Sequence, residues 1–107
     1  MRRLYVKDGC PYSSKVLAFM AEANVLRDFS LELDTPENRK IIKKSCGKAT
    51  FPALEISPGE LMAESNDIID ALADEYEINP NSLKAYQFIF GSPGSTKNTM
   101  IKTYRKV

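Results

Sequence analysis

The stretch VKDGCPYSSKV (Val6–Val16) holds a cysteine at the point where a strand pattern changes to a helix pattern. The preceding run Leu4–Val6 is short, apolar and β-prone, and the Asp-Gly pair behind it is typical of a turn. Apolar residues then recur at helical spacing, and Pro11 suits the first turn of that helix because proline lacks an N–H. The stretch therefore predicts that Cys10 lies at the N-terminus of a helix.

That predicted position makes Cys10 a candidate nucleophile. Only the thiolate reacts, and an ordinary cysteine with a pKa of about 8.5 is ~3% ionised at neutral pH. Unpaired N–H groups at a helix N-terminus favour negative charge, and Lys7 adds a nearby cation, so we expect the pKa of Cys10 to be lowered. An inert, partly buried cysteine in a strand-to-helix turn is the alternative. Cys46, beside Gly47 at a predicted helix end, is expected to be structural.

The rest of the chain alternates between strand and helix patterns. Asp28–Leu33 alternates apolar and polar residues, which indicates a strand. Thr35–Gly47 is predicted to be a helix that begins with a threonine N-cap followed by proline and ends at glycine. Ala53–Ile56 and Leu61–Ala63 are strand candidates joined by a turn, and Ser65–Tyr76 carries the apolar stripe of a third helix.

These elements predict an α/β domain in the order β-α-β-α-β-β-α, with a four-stranded mixed sheet flanked by helices and a parallel first strand pair. Ser65 is the predicted N-cap of the third helix. We place the domain at residues 1–78. Residues 79–107 are expected to form a short apolar helix, capped by Asn81 or Ser82, and then a helical or irregular tail.

The composition excludes several classes of function. The 107 residues are 43% hydrophobic and 27% charged with a net charge of +1, which fits one globular domain and predicts neither nucleic-acid nor membrane binding. We expect no membrane helix and no secretory signal, and two cysteines indicate a reducing, cytoplasmic setting. The chain has no histidine, which excludes Ser-His-Asp and Cys-His catalysis and histidine-ligated metal sites. No metal site is predicted.

The segments KDGCPYS, TFP and AESNDII resemble the glutaredoxins, especially those allied to the glutathione transferases. The resemblance covers about Leu4 to Tyr76. It implies a thioredoxin-like fold, glutathione as the cofactor, and an enzyme of thiol-disulfide exchange and electron transport. It also implies that the Phe51–Pro52 peptide is cis.

The resemblance implies a monothiol mechanism. Cys10 would be the nucleophile, and Lys7 would assist its thiolate. Ser13 stands where a dithiol motif carries a second cysteine, so a second glutathione must release the mixed disulfide. The expected partners are glutathione and glutathionylated proteins, and the chain is expected to be a monomer.

The resemblance also implies a set of glutathione-binding residues. The backbone of Phe51 would pair with the cysteinyl part, and the start of the third helix would hold the γ-glutamyl end, since helix N-termini bind anions. The full predicted set is Lys7, Tyr12, Arg39, Thr50, Phe51, Pro52, Glu64 and Ser65. An exposed helix charge remains the simpler interpretation of Arg39, and helix capping remains that of Ser65.

Three alternatives remain open on the sequence. The chain could be the glutathione-binding N-terminal domain of a transferase-like protein, although the usual helical second domain does not follow. It could hold an iron–sulfur cluster between two chains, although that subfamily typically reads C-G-F-S where this chain reads C-P-Y-S. It could also be a catalytically silent interaction module.

Overall fold

The computed structural model describes residues 1–91. Within that range four strands form one mixed sheet in the order β2-β1-β3-β4, with β1 at Arg2–Tyr5, β2 at Phe29–Glu32, β3 at Ala53–Ser57 and β4 at Glu60–Ala63. Strands β1 and β2 are parallel, whereas β3 pairs antiparallel with both β1 and β4. The predicted four-stranded mixed sheet and its parallel first pair are confirmed.

Helices flank this sheet. They are α1 at Pro11–Glu22, α2 at Pro36–Cys46, α3 at Ser65–Glu75 and α4 at Lys84–Phe90, and short 3₁₀ turns lie at Leu26–Asp28 and Pro80–Ser82. The order β-α-β-α-β-β-α is the thioredoxin-like one that was predicted, with α4 following it. The rest of the predicted tail, residues 92–107, lies outside the described residues.

The start of α1 and both ends of α2 lie where the sequence predicts them. Pro11 is the first residue of α1. The side chain of Thr35 accepts a hydrogen bond from the backbone N–H of Asn38 at 3.1 Å, which caps α2. Gly47 closes α2 in the left-handed conformation with φ of 89°, which glycine adopts without steric cost.

Two predicted caps are wrong. Ser65 is the first residue of α3, while Glu64 occupies the N-cap position and makes no side-chain capping bond. For α4, neither Asn81 nor Ser82 is the cap, because the N-cap residue is Leu83.

A carboxylate from α1 replaces the missing cap of α4. Glu22 accepts hydrogen bonds from the backbone N–H of Ala85 at 3.1 Å and of Tyr86 at 2.7 Å. Tyr86 is 7% exposed and packs edge-on against Phe19 of α1, with ring centroids 5.6 Å apart. Helix α4 is therefore tied to α1 by both charge and packing.

The core lies on both sides of the sheet because side chains of a strand alternate between its faces. On β1, Leu4 faces the larger cluster, to which α1 and α3 contribute Phe19, Ile68 and Leu72. Tyr5 faces the opposite side, where the buried cluster also contains Ile42, Ala53 and Leu61. This two-sided packing holds the end of β1 and the start of α1 in a fixed relation.

Among residues 1–91, no helix has both the length and the apolar character needed to cross a membrane.

Candidate functional site

Cys10 is the N-cap residue of α1, with extended backbone angles of −93° and 119°. Its N–H donates to the carbonyl of Lys7 at 3.2 Å, which closes the turn between β1 and α1. Gly9 stands in that turn with φ of 74°, a conformation that favours glycine. The turn leaves Cys10 half-buried at the N-terminus of α1, where the sequence predicts it.

The surroundings of Cys10 lower its pKa below the ordinary cysteine value. Burial opposes ionisation and is the largest single influence, but hydrogen bonds and charge together outweigh it. The groups that lower the pKa of Cys10 are the backbone N–H and hydroxyl of Ser13, the backbone N–H of Tyr12 and the charge of Lys7. The thiolate is thus stabilised by donors of the first helical turn and by a cation.

Ser13 makes a structural hydrogen bond and also lowers the pKa of Cys10. The residue is 2% exposed, and its Oγ accepts a hydrogen bond from the backbone N–H of Lys7 at 3.0 Å. A hydroxyl has one donor and two lone pairs, so it can accept from Lys7 and donate to the sulfur of Cys10 together. The serine at the position of a second cysteine therefore braces the turn and favours the thiolate form of Cys10.

A groove lies beside Cys10. It has a volume of about 340 Å³ and is lined by Tyr12, Thr50, Phe51, Pro52, Glu64, Ser65 and Asn66; we call this set the groove. The Phe51–Pro52 peptide is cis, as predicted. The sulfur of Cys10 lies 4.0 Å from the carbonyl oxygen of Phe51, so the thiol borders the groove.

The far wall of the groove is the start of α3. Glu64 has φ of 75°, a conformation that is uncommon for residues other than glycine and that tends to occur at functional sites. The side chain of Glu64 makes no capping bond to the first turn of α3, and Ser65 there is buried. The free N–H groups of a helix N-terminus favour negative charge, so this wall suits an anionic group.

Six of the predicted binding residues line the groove, but Lys7 and Arg39 do not. The exposed Arg39 is engaged by Asp34 through two bonds, including one of 2.7 Å from Nη2 to Oδ2. The Arg39 guanidinium holds the pKa of Asp34 below its usual value, and Lys7 adds to this effect. Lys7 therefore lies near both Asp34 and Cys10.

Sequence reasoning missed Asp34 and Asn66. Asp34 follows β2 and Lys7 follows β1, and the carboxyl ends of parallel strands meet at one edge of a sheet, so this proximity could have been predicted. Asn66 directly follows Glu64 and Ser65 within the quoted segment AESNDII and lines the groove with them. Its position in the first turn of α3 was the available signal.

Cys46 does not line the groove. It ends α2, packs against the cluster on the α2 side of the sheet, and its sulfur lies 3.9 Å from the carbonyl oxygen of Leu61. Both thiols are free. These contacts agree with the structural role expected for Cys46.

Comparison with solved structures shows the fold. A glutathione transferase family member from Pseudomonas fluorescens Pf-5, crystallised with bound glutathione, has a TM-score of 0.64 at 23% identity over 76% of this chain. Glutathione transferase Omega 2C from Trametes versicolor has a TM-score of 0.55 at 17% identity over 86% of this chain. This chain spans only 41% and 42% of the lengths of those two proteins.

Comparison of sequences identifies the family. No curated protein sequence matches this chain. The family model described as "Glutathione S-transferase, N-terminal domain" matches residues 4–81. The resemblance to glutaredoxins is thus supported at the level of a thioredoxin-like domain of the transferase type, and not for glutaredoxins in particular. The chain belongs to the glutathione S-transferase N-terminal domain family.

Proposed function

We propose that this chain is a glutathione-dependent thiol-disulfide oxidoreductase that reduces protein–glutathione mixed disulfides through Cys10. One observation carries the proposal: a thiol with a lowered pKa borders a groove whose far wall is an uncapped helix N-terminus. The Pseudomonas relative, which was crystallised with glutathione, supports glutathione as the ligand.

The three parts of glutathione match, in their sequence along the molecule, the groups that the groove presents to them. Its cysteinyl part would lie along the backbone of Phe51, next to the sulfur of Cys10. Its γ-glutamyl end carries an ammonium and a carboxylate, which Glu64 and the first turn of α3 at Ser65 complement in charge. Its glycine carboxylate would point towards the exposed Lys7. Arg39 is held by Asp34 and is not part of this binding model.

The proposed reaction has two exchange steps. In the first, the thiolate of Cys10 attacks the glutathione sulfur of the mixed disulfide, the S–S bond breaks, and the protein substrate leaves as a thiolate that takes a proton from water. Cys10 is then joined to glutathione. In the second step, the thiolate of another glutathione attacks the glutathione sulfur on Cys10, which releases glutathione disulfide and regenerates the Cys10 thiolate.

The site favours this two-step sequence over an internal one. Ser13 is chemically unable to form a disulfide, and Cys46 packs on the α2 side of the sheet. Release by a second glutathione is therefore the route that the proposal requires. Partners in this proposal are glutathione and glutathionylated proteins.

The test follows release of glutathione from a glutathionylated peptide in the presence of reduced glutathione. Cys10→Ser should abolish turnover, because no other thiol shares the stabilising contacts of Cys10. Cys46→Ser is the matched control and should keep most of the activity. Equal losses in the two variants would show that Cys46 takes part in the exchange and would refute the monothiol mechanism.

A second candidate function is conjugation of glutathione to a carbon electrophile, and the family match favours it. The chain spans about two fifths of the length of the two transferases compared above, and residues 1–91 supply the groove for glutathione. Turnover of an aryl halide that survives Cys10→Ser would favour conjugation over thiol exchange.

A further inference from the structure

Four lysines on α2 and in the loop behind it form an exposed positive surface; we call Lys40, Lys43, Lys44 and Lys48 the basic face. Lys40 precedes Lys43 and Lys44 by three and four residues, so these three lie on one side of the helix. Ile42, in contrast, is buried against the sheet. No ion pair within residues 1–91 includes any of these lysines, so their charge is not neutralised within that range.

The stability of α2 accounts for only part of this charge. Lys43 and Lys44 lie in the last turn, where cations interact favourably with the helix dipole. Lys40 lies in the middle of the helix, and like charges at this spacing destabilise a helix. Lys48 lies beyond Gly47, which ends the helix. A negatively charged partner would stabilise all four together.

The basic face leads directly to the reactive end of the groove. Thr50 and Phe51 line the groove, and Lys48 precedes Phe51 by three residues, which span at most about 10 Å. The carbonyl oxygen of Phe51 lies 4.0 Å from the sulfur of Cys10. A polypeptide that reaches Cys10 through its own cysteine therefore comes within range of the Lys48 ammonium.

The opposite wall of the groove carries the opposite charge. Helix α3 and the turn after it contain no basic residue, and their exposed acidic residues are Glu64, Asp67, Asp70, Asp74, Glu75 and Glu77. This helix packs on the other face of the sheet from α2. A polypeptide lying across the groove is therefore attracted to the α2 side when it is acidic there and repelled by α3 when it is acidic on both sides.

We propose that the basic face is a docking surface for the protein substrate, and that it selects glutathionylated polypeptides with an acidic segment on one side of the modified cysteine. This inference rests on the proposed function and defines its substrate class. The partner is a polypeptide because it must deliver a cysteine to Cys10, and it is acidic by charge complementarity to the four lysines.

The experiment measures kcat/KM of the 107-residue chain for three glutathionylated peptides of equal length with a central cysteine. One carries three glutamates before the cysteine, one carries them after it, and the third carries glutamines at both places. One of the two acidic peptides should be preferred over the neutral peptide by about tenfold at low salt, since each exposed ion pair contributes roughly twofold. The preference should shrink as salt is raised, because exposed charges are screened.

A pair of matched double variants locates the surface. Lys44→Gln with Lys48→Gln should reduce the preference to about threefold, since two of the four lysines remain, and glutamine is a good helix former. Arg27→Gln with Lys84→Gln removes the same charge from exposed positions that do not line the groove and should leave the preference at its wild-type value. Equal effects of the two double variants would overturn the inference, because the preference would then follow net charge and not this surface.

The remaining outcomes separate this inference from the proposed function. Turnover of all three peptides through Cys10 with no preference would overturn this inference alone. Retention of duplex DNA that is lost with the lysines, without any peptide preference, would assign the face to nucleic acid and would also overturn it. Absence of turnover for every peptide, or turnover that survives Cys10→Ser, would overturn the proposed function and this inference with it.

Discussion

Ser13→Ala removes both effects of the Ser13 hydroxyl, and their different pH dependence allows them to be measured separately. The substitution leaves the backbone N–H of Lys7 without its 3.0 Å acceptor and removes one donor from the sulfur of Cys10. An unpaired donor costs about 1–3 kcal/mol, and the low end applies because Lys7 lies at the surface. About 1 kcal/mol lowers the melting temperature of a domain of this size by roughly 4–8 °C.

The second bond makes this loss depend on pH. The pKa of Cys10 is lowered by folding, so its ionisation stabilises the folded chain once the pH exceeds that lowered pKa. The contribution is complete near the unfolded pKa of about 8.5, and it is lost as the pH falls through the lowered pKa. Ser13→Ala raises the pKa of Cys10, so its loss in unfolding free energy should be larger at alkaline pH than in acid.

The assays are alkylation of Cys10 by iodoacetamide across pH and thermal melting at two pH values, both in a Cys46→Ser background so that one thiol reports. Wild-type alkylation should titrate well below about pH 8.5, and Ser13→Ala should move the midpoint upward. Ser14→Ala is the control, since Ser14 is exposed on the same helix. Equal midpoints for the two serine variants would refute the claim that the Ser13 hydroxyl stabilises the thiolate.

Three further outcomes are expected. Glu22→Ala should lower the melting temperature by roughly 4–8 °C, as loss of an N-cap of about 1 kcal/mol predicts, and leave Cys10 alkylation unchanged; an unchanged melting temperature would mean that Tyr86 packing alone holds α4. Glutathione added to labelled chain should shift the backbone resonances of the groove, and no shift there would refute the site. Arg39→Gln should change glutathione affinity by less than about twofold, because Asp34 already engages Arg39; a tenfold loss would restore Arg39 as a binding residue.

Much of the fold could be predicted because the signals are local. Pro11 at the start of α1, the Thr35 cap and the Gly47 stop are each encoded within a few residues, and the structure keeps all three. The cap of α4 could not be predicted, because its carboxylate comes from Glu22, 64 residues before Tyr86. Such a contact exists only after the chain has folded.

Some features of the site could not be predicted, because they too depend on contacts between distant elements. Backbone conformation at Glu64 depends on packing, since nothing local to a glutamate favours φ of 75°, and the helix start therefore moved by one residue from the predicted cap. Arg39 was assigned from the family resemblance, which does not take into account the carboxylate that Asp34 offers five residues earlier. Side-chain partners across elements decide such roles, and a single sequence does not display them.

The contacts of Ser13 support the proposed monothiol mechanism. A cysteine at this position would put a weak sulfur acceptor against the backbone N–H of Lys7 in a space that is 2% exposed. The turn that presents Cys10 would lose its brace, and the thiolate would lose a hydroxyl donor. The serine thus lowers the pKa of Cys10 and braces the turn that presents it. In the proposed mechanism, release of bound glutathione is left to a second glutathione.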